Sequence, residues 1–449
     1  MTPAELAPVF FAAAAVILLT CRLVSLAAAR IGQPAVVGEM LAGVLLGPSL
    51  FGLLAPGLSD ALFPSELRPV LYVVGQIGLV ALMFAAGYEF RAHAGRGLAG
   101  TAATVSAAGI VLPLLLGAGL TLAVHGHVGV FVDGVSPGVT AAFVGVTLTV
   151  TAFPMLARLI TERGLAGSRF GTLALASGAV DDVTAWLLLA GVLSVAAGEA
   201  ELIVKAAGGL LLFTAVMLLL GRRLLGALMT RPGLREDTRL LGAFVVLLGA
   251  AWFTDEVGLY AVFGAFAVGL AMPACDASER VVRSTVPVTQ VLLVPMFFTY
   301  SGLNTRFGVF GDPAVLAFGA GAVVLAVAGK FGGCWLAARW RGEPGGVAAR
   351  VGALMNARGL MQLIALNVGL EAGIVSEALF TVLVLVALVT TVMTVPVLSW
   401  LDRRERAAAG GSGPHQHART RQRTPRRTPR RTPPASASGA DDTTAEVPQ

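Results

Sequence analysis

Two adjacent carboxylates, Asp181 and Asp182, stand in the middle of the apolar run SGAVDDVTAWLLLA (177–190). Ionisable groups in such a run are expensive to keep in hydrocarbon, and they mark ion pathways or proton relays. Successive residues on a helix point about 100° apart, so the two cannot share one partner equally. One can meet a cationic side chain while the other faces a water-filled cavity. Lys330, in AGKFGGCWLAA (328–338), is the natural cationic partner. The chain has 30 arginines and only two lysines, and lysine can lose its proton when desolvated whereas arginine effectively cannot. A buried Lys–Asp pair is therefore a protonatable switch, and the neighbouring Asp is an oxygen ligand for a hard cation.

Two further stretches combine polar groups with helix breakers. TLTVTAFPML (147–156) places the hydroxyls of Thr147, Thr149 and Thr151 just before Pro154. MNARGLMQ (355–362) interrupts an apolar run with Asn356, Arg358 and Gly359. Proline removes a backbone donor and glycine loosens a helix, and interrupted segments at corresponding places in two halves point to a transporter site. The remaining ionisable residues in apolar runs are Glu39, Glu89 and Arg22, the last placed to snorkel.

The elements that must position these groups follow from composition. Of 449 residues, 56% are hydrophobic and 13% charged, with mean hydropathy +0.81; soluble domains sit nearer about 25% charged. A cytosolic enzyme, a disulfide scaffold and a nucleic-acid-binding domain are excluded as the main role. Cys21, Cys275 and Cys334 form no CxxC or Cys/His cluster and read as small buried hydrophobes. The motifs GxxxxGK[ST], HExxH and TVGYG are absent, which argues against ATP-driven pumping, zinc-dependent intramembrane proteolysis and a potassium-type selectivity filter.

Apolar runs predict thirteen spans, with cores at 8–29, 35–53, 70–88, 99–123, 138–157, 170–197, 202–221, 240–254, 257–273, 285–303, 314–338, 351–370 and 378–400. Lys/Arg asymmetry orients them. With the N-terminus outside, the inside loops hold Arg30, Arg91, Arg96, Arg158, Arg163, Arg169, Arg222, Arg223, Arg231, Arg235, Arg239, Arg280, Arg283, Arg339, Arg341 and Arg350. The outside loops hold Arg68, Lys205 and Arg306 alone. The first span is too long and lacks the basic flank of a cleaved signal peptide. From about Asp402 the chain turns Gly/Ala/Ser/Pro-rich, with TPRRTPRRTPP, and is expected to be a disordered basic cytoplasmic tail over 402–449. The interrupted spans are the fifth and the twelfth. Their offset of seven is odd, as an inverted-topology repeat requires.

At these residues the chain resembles the monovalent cation:proton antiporter-2 family, above all the branch with the plant and fungal cation/proton exchangers. The resemblance runs from about Ile31 to Pro396. It rests on GQPAVVGEMLAGVLLGPSLFG (32–52), GYEF (87–90), TAFPMLARLITERGL (151–165), SGAVDDVTAWLLLA (177–190), VGLYAVFGAFAVGLAMP (257–273), PMFFTYSGLNT (295–305), AGKFGGCWLAA (328–338) and MNARGLMQLIALNVGL (355–370). It implies an all-α polytopic membrane protein of about 13 transmembrane helices. The implied fold is that of an inverted-repeat antiporter, with core and dimerisation domains, two crossing unwound helices and an exchanger domain over 1–401.

The implied activity is elevator-like exchange of Na⁺ or K⁺ for protons across the cell membrane, by a homodimer. The family carries no cofactor and no nucleic acid. Asp182 matches the aspartate that binds the monovalent cation or the proton. Asp181 matches the preceding acidic or amide position, and Lys330 the lysine that pairs with it. Thr149 and Thr151 line the first unwound helix, and Arg358, with Asn356, supports the second. Plant members tend to carry Asn–Asp where this chain has Asp–Asp, a pair that with the later lysine resembles electrogenic bacterial sodium/proton antiporters; Gln362 stands where a glutamate is common. A cation channel and an organic-anion symporter on a similar fold are the competing readings.

Overall fold

In hydrocarbon every backbone N–H and C=O must be satisfied within the protein, and a helix does this inside a single segment. The computed structural model is helical accordingly, and it describes residues 2–93, 98–165, 167–196, 198 and 200–410. In chain order the α-helices are α1 (Pro3–Arg30), α2 (Ala35–Leu46), α3 (Phe51–Leu54), α4 (Pro56–Leu62), α5 (Arg68–His93), α6 (Ala99–Val124), α7 (Pro137–Thr149), α8 (Phe153–Glu162), α9 (Arg169–Ala196), α10 (Ala200–Val216), α11 (Arg222–Thr230), α12 (Glu236–Glu256), α13 (Ala261–Ala271), α14 (Asp276–Val288), α15 (Val294–Leu303), α16 (Pro313–Trp340), α17 (Gly345–Met355), α18 (Leu360–Glu371) and α19 (Glu377–Gly410). Single π-helical stretches, Met217–Gly221 and Thr289–Leu293, carry α10 into α11 and α14 into α15.

Local signals set several boundaries. Thr2 and Glu5 form a reciprocal capping box at the start of α1. Proline occupies the first helical position of α7 and α16, where its missing N–H costs nothing, and Ser136 and Asp312 cap them.

Ten stretches of the described residues are long and apolar enough to cross a membrane by length and composition, and Pro137–Thr149, Ala261–Ala271 and Gly345–Met355 are shorter apolar helices. The short ones overlap the expected spans at 138–157, 257–273 and 351–370. Two of these spans are each divided between a pair of helices. Val150–Ala152 separates α7 from α8, and Asn356–Gly359 separates α17 from α18.

Within the single compact unit Met1–Asp402, two sets of helices pack extensively among themselves, with α5 also touching α8 and α9. In one, α2 lies against α1 and α15, and α5 against α13 and α15. In the other, α6 lies against α7 and α16, and α9 packs on α6, α7 and α17. Small residues set how closely the axes approach: a Cβ added at Gly302 of α15 would collide with the Gly43 carbonyl of α2. In the second group a Cβ at Gly333 of α16 would stand 2.8 Å from the Ala108 carbonyl of α6. Helix α19 does not stop at the compositional change near Asp402 but runs on through DRRERAAAG to Gly410, because Arg, Glu and Ala are strong helix formers. The rest of the expected tail, 411–449, and Arg96 lie outside the described residues.

Candidate ion-binding site

The two helix breaks meet. The Ala152 amide donates to the Ala357 carbonyl across them at 3.3 Å. Thr151 Oγ1 lies 2.9 Å from Asp181 Oδ2 and 3.2 Å from the Met355 carbonyl, with one proton to serve both. A break frees carbonyls at the C-termini of α7 and α17 and amides at the N-termini of α8 and α18, and charged side chains collect on these ends according to sign. Lys330 Nζ donates to the Thr149 carbonyl at the end of α7, and Arg358 donates to the Thr147 carbonyl at 3.2 Å. The Phe153 amide, first in α8, donates to Asp182. Cations thus sit at a helix C-terminus and the carboxylate at an N-terminus, as the helix dipoles favour.

The adjacent aspartates have unlike surroundings. Asp181 is fully buried, and three donors hold its carboxylate: Ser106 Oγ at 2.5 Å to Oδ1, Lys330 Nζ at 2.5 Å to Oδ2, and Thr151 Oγ1. Lys330 is buried as completely, so this is an ion pair wholly out of water. Asp182 is 4% exposed, and its Oδ1 is buried with no hydrogen-bond partner. That carboxylate borders two small cavities of about 10 Å³ each, roughly the room one water needs. A buried anionic oxygen without a donor, at the edge of such a space, can accept either a proton or a desolvated cation.

The other expected residues fall around this centre. Thr149 turns its hydroxyl back to the Val146 carbonyl at 2.7 Å, so its contact with Lys330 is made by its backbone. Asn356 is buried with Oδ1 unpartnered. Arg358 is fully buried; its guanidinium donates to the Thr147 and Ala326 carbonyls, and its backbone N–H and C=O are both met by Thr391 Oγ1. Gln362 donates to the Leu383 carbonyl at 3.1 Å. Among the described residues no three of His, Cys, Asp and Glu gather as a metal-binding group, and all three cysteines are free.

Sequence reasoning missed Ser106 and the Phe153 amide. Ser106 sits in the small-residue stretch TAATVSAAGI (101–110) with no distinguishing spacing, so nothing in the chain marks it. Phe153 had a signal, since the first residue after a helix break carries a free amide.

The sequence profile described as "Sodium/hydrogen exchanger, transmembrane" matches residues 15–401. The chain belongs to that family. This exchanger is 35% identical over 395 residues to the Na⁺/H⁺ antiporter NhaS4 of Synechocystis, a match covering 85% of the chain and 94% of the relative. It is 31% identical to cation/H⁺ antiporter 17 of Arabidopsis thaliana over 85% of its own length but 47% of the relative's, so it spans about half of that plant protein. It is 28% identical to the K⁺/H⁺ antiporter 1 of Saccharomyces cerevisiae over 86% of its length and 46% of the relative's. The sodium–proton antiporter MjNhaP1 of Methanocaldococcus jannaschii shares its fold, with a TM-score of 0.58 at 15% identity, covering 90% of this exchanger and all of that chain. The exchanger is accordingly a multi-pass membrane transporter and not an enzyme.

Proposed function

We propose that this exchanger carries Na⁺ or K⁺ in one direction across the cell membrane and protons in the other, with both competing for Asp182. The observation that carries this reading is the contrast between the neighbouring carboxylates. Asp181 is already neutralised by Lys330, whereas Asp182 Oδ1 is buried, unpartnered and beside a water-sized space. A proton or a cation at Asp182 removes the charge that would otherwise make passage through low dielectric costly. The empty, charged site is held back by that cost, which couples the two fluxes. Relatives described as Na⁺/H⁺ and K⁺/H⁺ antiporters support the class of cargo.

The two broken helices are read as the crossing unwound segments of an inverted repeat, within thirteen crossings that place the N-terminus outside and the tail in the cytoplasm. The α6–α9 and α16–α19 helices form the moving core. The helices grouped around α2, α5, α13 and α15 form the scaffold of a homodimer, past which the core moves like an elevator. Thr151 and the Thr149 carbonyl shape the site, and Arg358 and Asn356 hold the second break. The test is cation-induced dequenching of a pH dye in proteoliposomes across Na⁺, K⁺ and Li⁺. The native protein is expected to give a cation-dependent signal and Asp182→Asn none. A folded native protein silent with every cation would overturn the reading.

A further inference from the structure

Both cavities at Asp182 share one large wall. Trp186 stands four residues after Asp182, one turn along α9, and it lines the cavity among α7, α9 and α18 as well as the one between α9 and α13. Apart from Asp182, no residue lining these spaces carries a side-chain oxygen, so no other side chain there can replace an ion's hydration shell. The indole is 8% exposed, and its far side meets Tyr260, ring centroids 5.7 Å apart and tilted 41°.

Tyr260 is held unusually. Its φ of +64° is, among the described residues, the only positive value outside glycine. An aromatic residue keeps such a backbone only where its surroundings over-determine it, and such outliers gather at functional sites. Tyr260 lies at the turn from α12 into α13, within electrostatic reach of Asp255 and Glu371. Glu371 accepts there from Tyr72 at 3.4 Å and Tyr300 at 3.3 Å. The Tyr260–Trp186 pair thus connects exposed acidic groups, Asp255 and Glu371, to the cavities at Asp182, a polar mouth in the sense of a charged, solvent-facing approach.

We propose that Trp186, braced by Tyr260, is the specificity-determining barrier between this mouth and Asp182, setting the size of the cation that reaches the carboxylate. The inference rests on the exchange proposed above for Asp182. It predicts that shrinking the indole admits larger alkali cations. Loosening the brace acts in the same direction and less strongly. Discrimination by a packed pocket wall is worth about 10–200-fold, so the Cs⁺-to-Na⁺ ratio of exchange rates should rise by about tenfold or more in Trp186→Ala. It should rise less in Tyr260→Gly, whose backbone accepts the positive φ without strain, and stay near native in Trp186→Phe.

The measurement is exchange in proteoliposomes with Li⁺, Na⁺, K⁺, Rb⁺ and Cs⁺ for the native protein and these three variants. A second readout needs no transport. In a background with Cys21, Cys275 and Cys334 replaced, Ala365→Cys is labelled with a small cationic methanethiosulfonate, with and without Trp186→Ala. Faster labelling together with a widened cation range supports the barrier. An unchanged Cs⁺-to-Na⁺ ratio in both Trp186→Ala and Tyr260→Gly, or an unchanged labelling rate, overturns it. A native protein silent with every cation but labelled faster in the Trp186→Ala background would overturn the antiport reading and leave the barrier standing. Should Trp186→Ala fail to fold, Tyr260→Gly carries both readouts.

Discussion

Asp181 and Asp182 are chemically identical and differ by one step along a helix, yet only one is fully satisfied. Lys330, Ser106 and Thr151 converge on Asp181. Taking both ions of such a pair out of water is costly, and removing one partner is worse than removing both, because an uncompensated charge stays buried. Lys330→Ala is therefore expected to destabilise the protein by about 3–5 kcal/mol, seen as a large fall in apparent melting temperature in detergent. Asp181→Asn added to it should recover much of the loss, and a double variant no more stable than the single would contradict the pairing. Ser106→Ala removes a hydrogen bond to a charged group and should cost about 1.5–3 kcal/mol, read by the same thermal unfolding. At this scale the sequence was informative about charge and poor about partners. The pair of aspartates and the lone mid-helix lysine announced themselves by their cost in an apolar run, whereas a serine among alanines carried no mark.

At the scale of elements, the chain's breakers matter as much as its helix formers. Thr, Pro, Asn and Gly residues at 149–154 and 356–359 end α7 and α17 midway through apolar runs. The freed backbone groups then hold Lys330, Arg358 and Asp182. That these runs would be interrupted was readable from proline and glycine; that the interruptions would touch, Ala152 to Ala357, was not. Local sequence sets where a helix stops, but the meeting of two stops 205 residues apart (357 − 152) depends on how whole helices pack. Helix packing makes its own prediction. Gly302→Ala would push α15 off α2 at the Gly43 carbonyl, an overpacking expected to cost about 1–3 kcal/mol. Thermal unfolding checks it, and a variant as stable as the native protein would show that the two helices can separate freely. Replacing Gly308, where a Cβ meets nothing within 4 Å, is the control.

At the scale of the whole molecule, two groups of helices touch through few polar bonds, and these lie at opposite ends. At one end Tyr72 and Tyr300 reach Glu371, Asn367 donates to Ser301 Oγ at 2.5 Å, and Arg306 meets Thr381 and Glu377. At the other, Gln33 donates to the Val392 carbonyl at 3.0 Å, and Arg163 donates to the Gly32 carbonyl at 3.4 Å. Sparse links of this kind suit bodies that slide, since each neutral bond is worth only about 0.5–1.5 kcal/mol net. The family match ends at residue 401 and the compact unit at Asp402. Removing 411–449 should accordingly leave both melting temperature and cation-dependent exchange unchanged; loss of either in a monodisperse truncated protein would give the tail a part in the exchanger itself.

What the sequence determined by itself is the solvent and the currency. Long apolar runs satisfy their own backbone in hydrocarbon as helices, and the cost of the few charges inside them marks those charges as candidate working parts. Their spacing along each helix was equally legible, because 3.6 residues per turn fixes which faces they occupy. What the tertiary structure decided is which group answers which. It gave Lys330 to Asp181 and a water-sized space to Asp182, and it set Trp186 against a strained Tyr260. Helical periodicity orients a side chain about its own axis and says nothing of the neighbour that packing brings from a distant part of the chain. In a site made where broken helices meet, that neighbour decides whether a carboxylate is neutralised in place or left open to an ion.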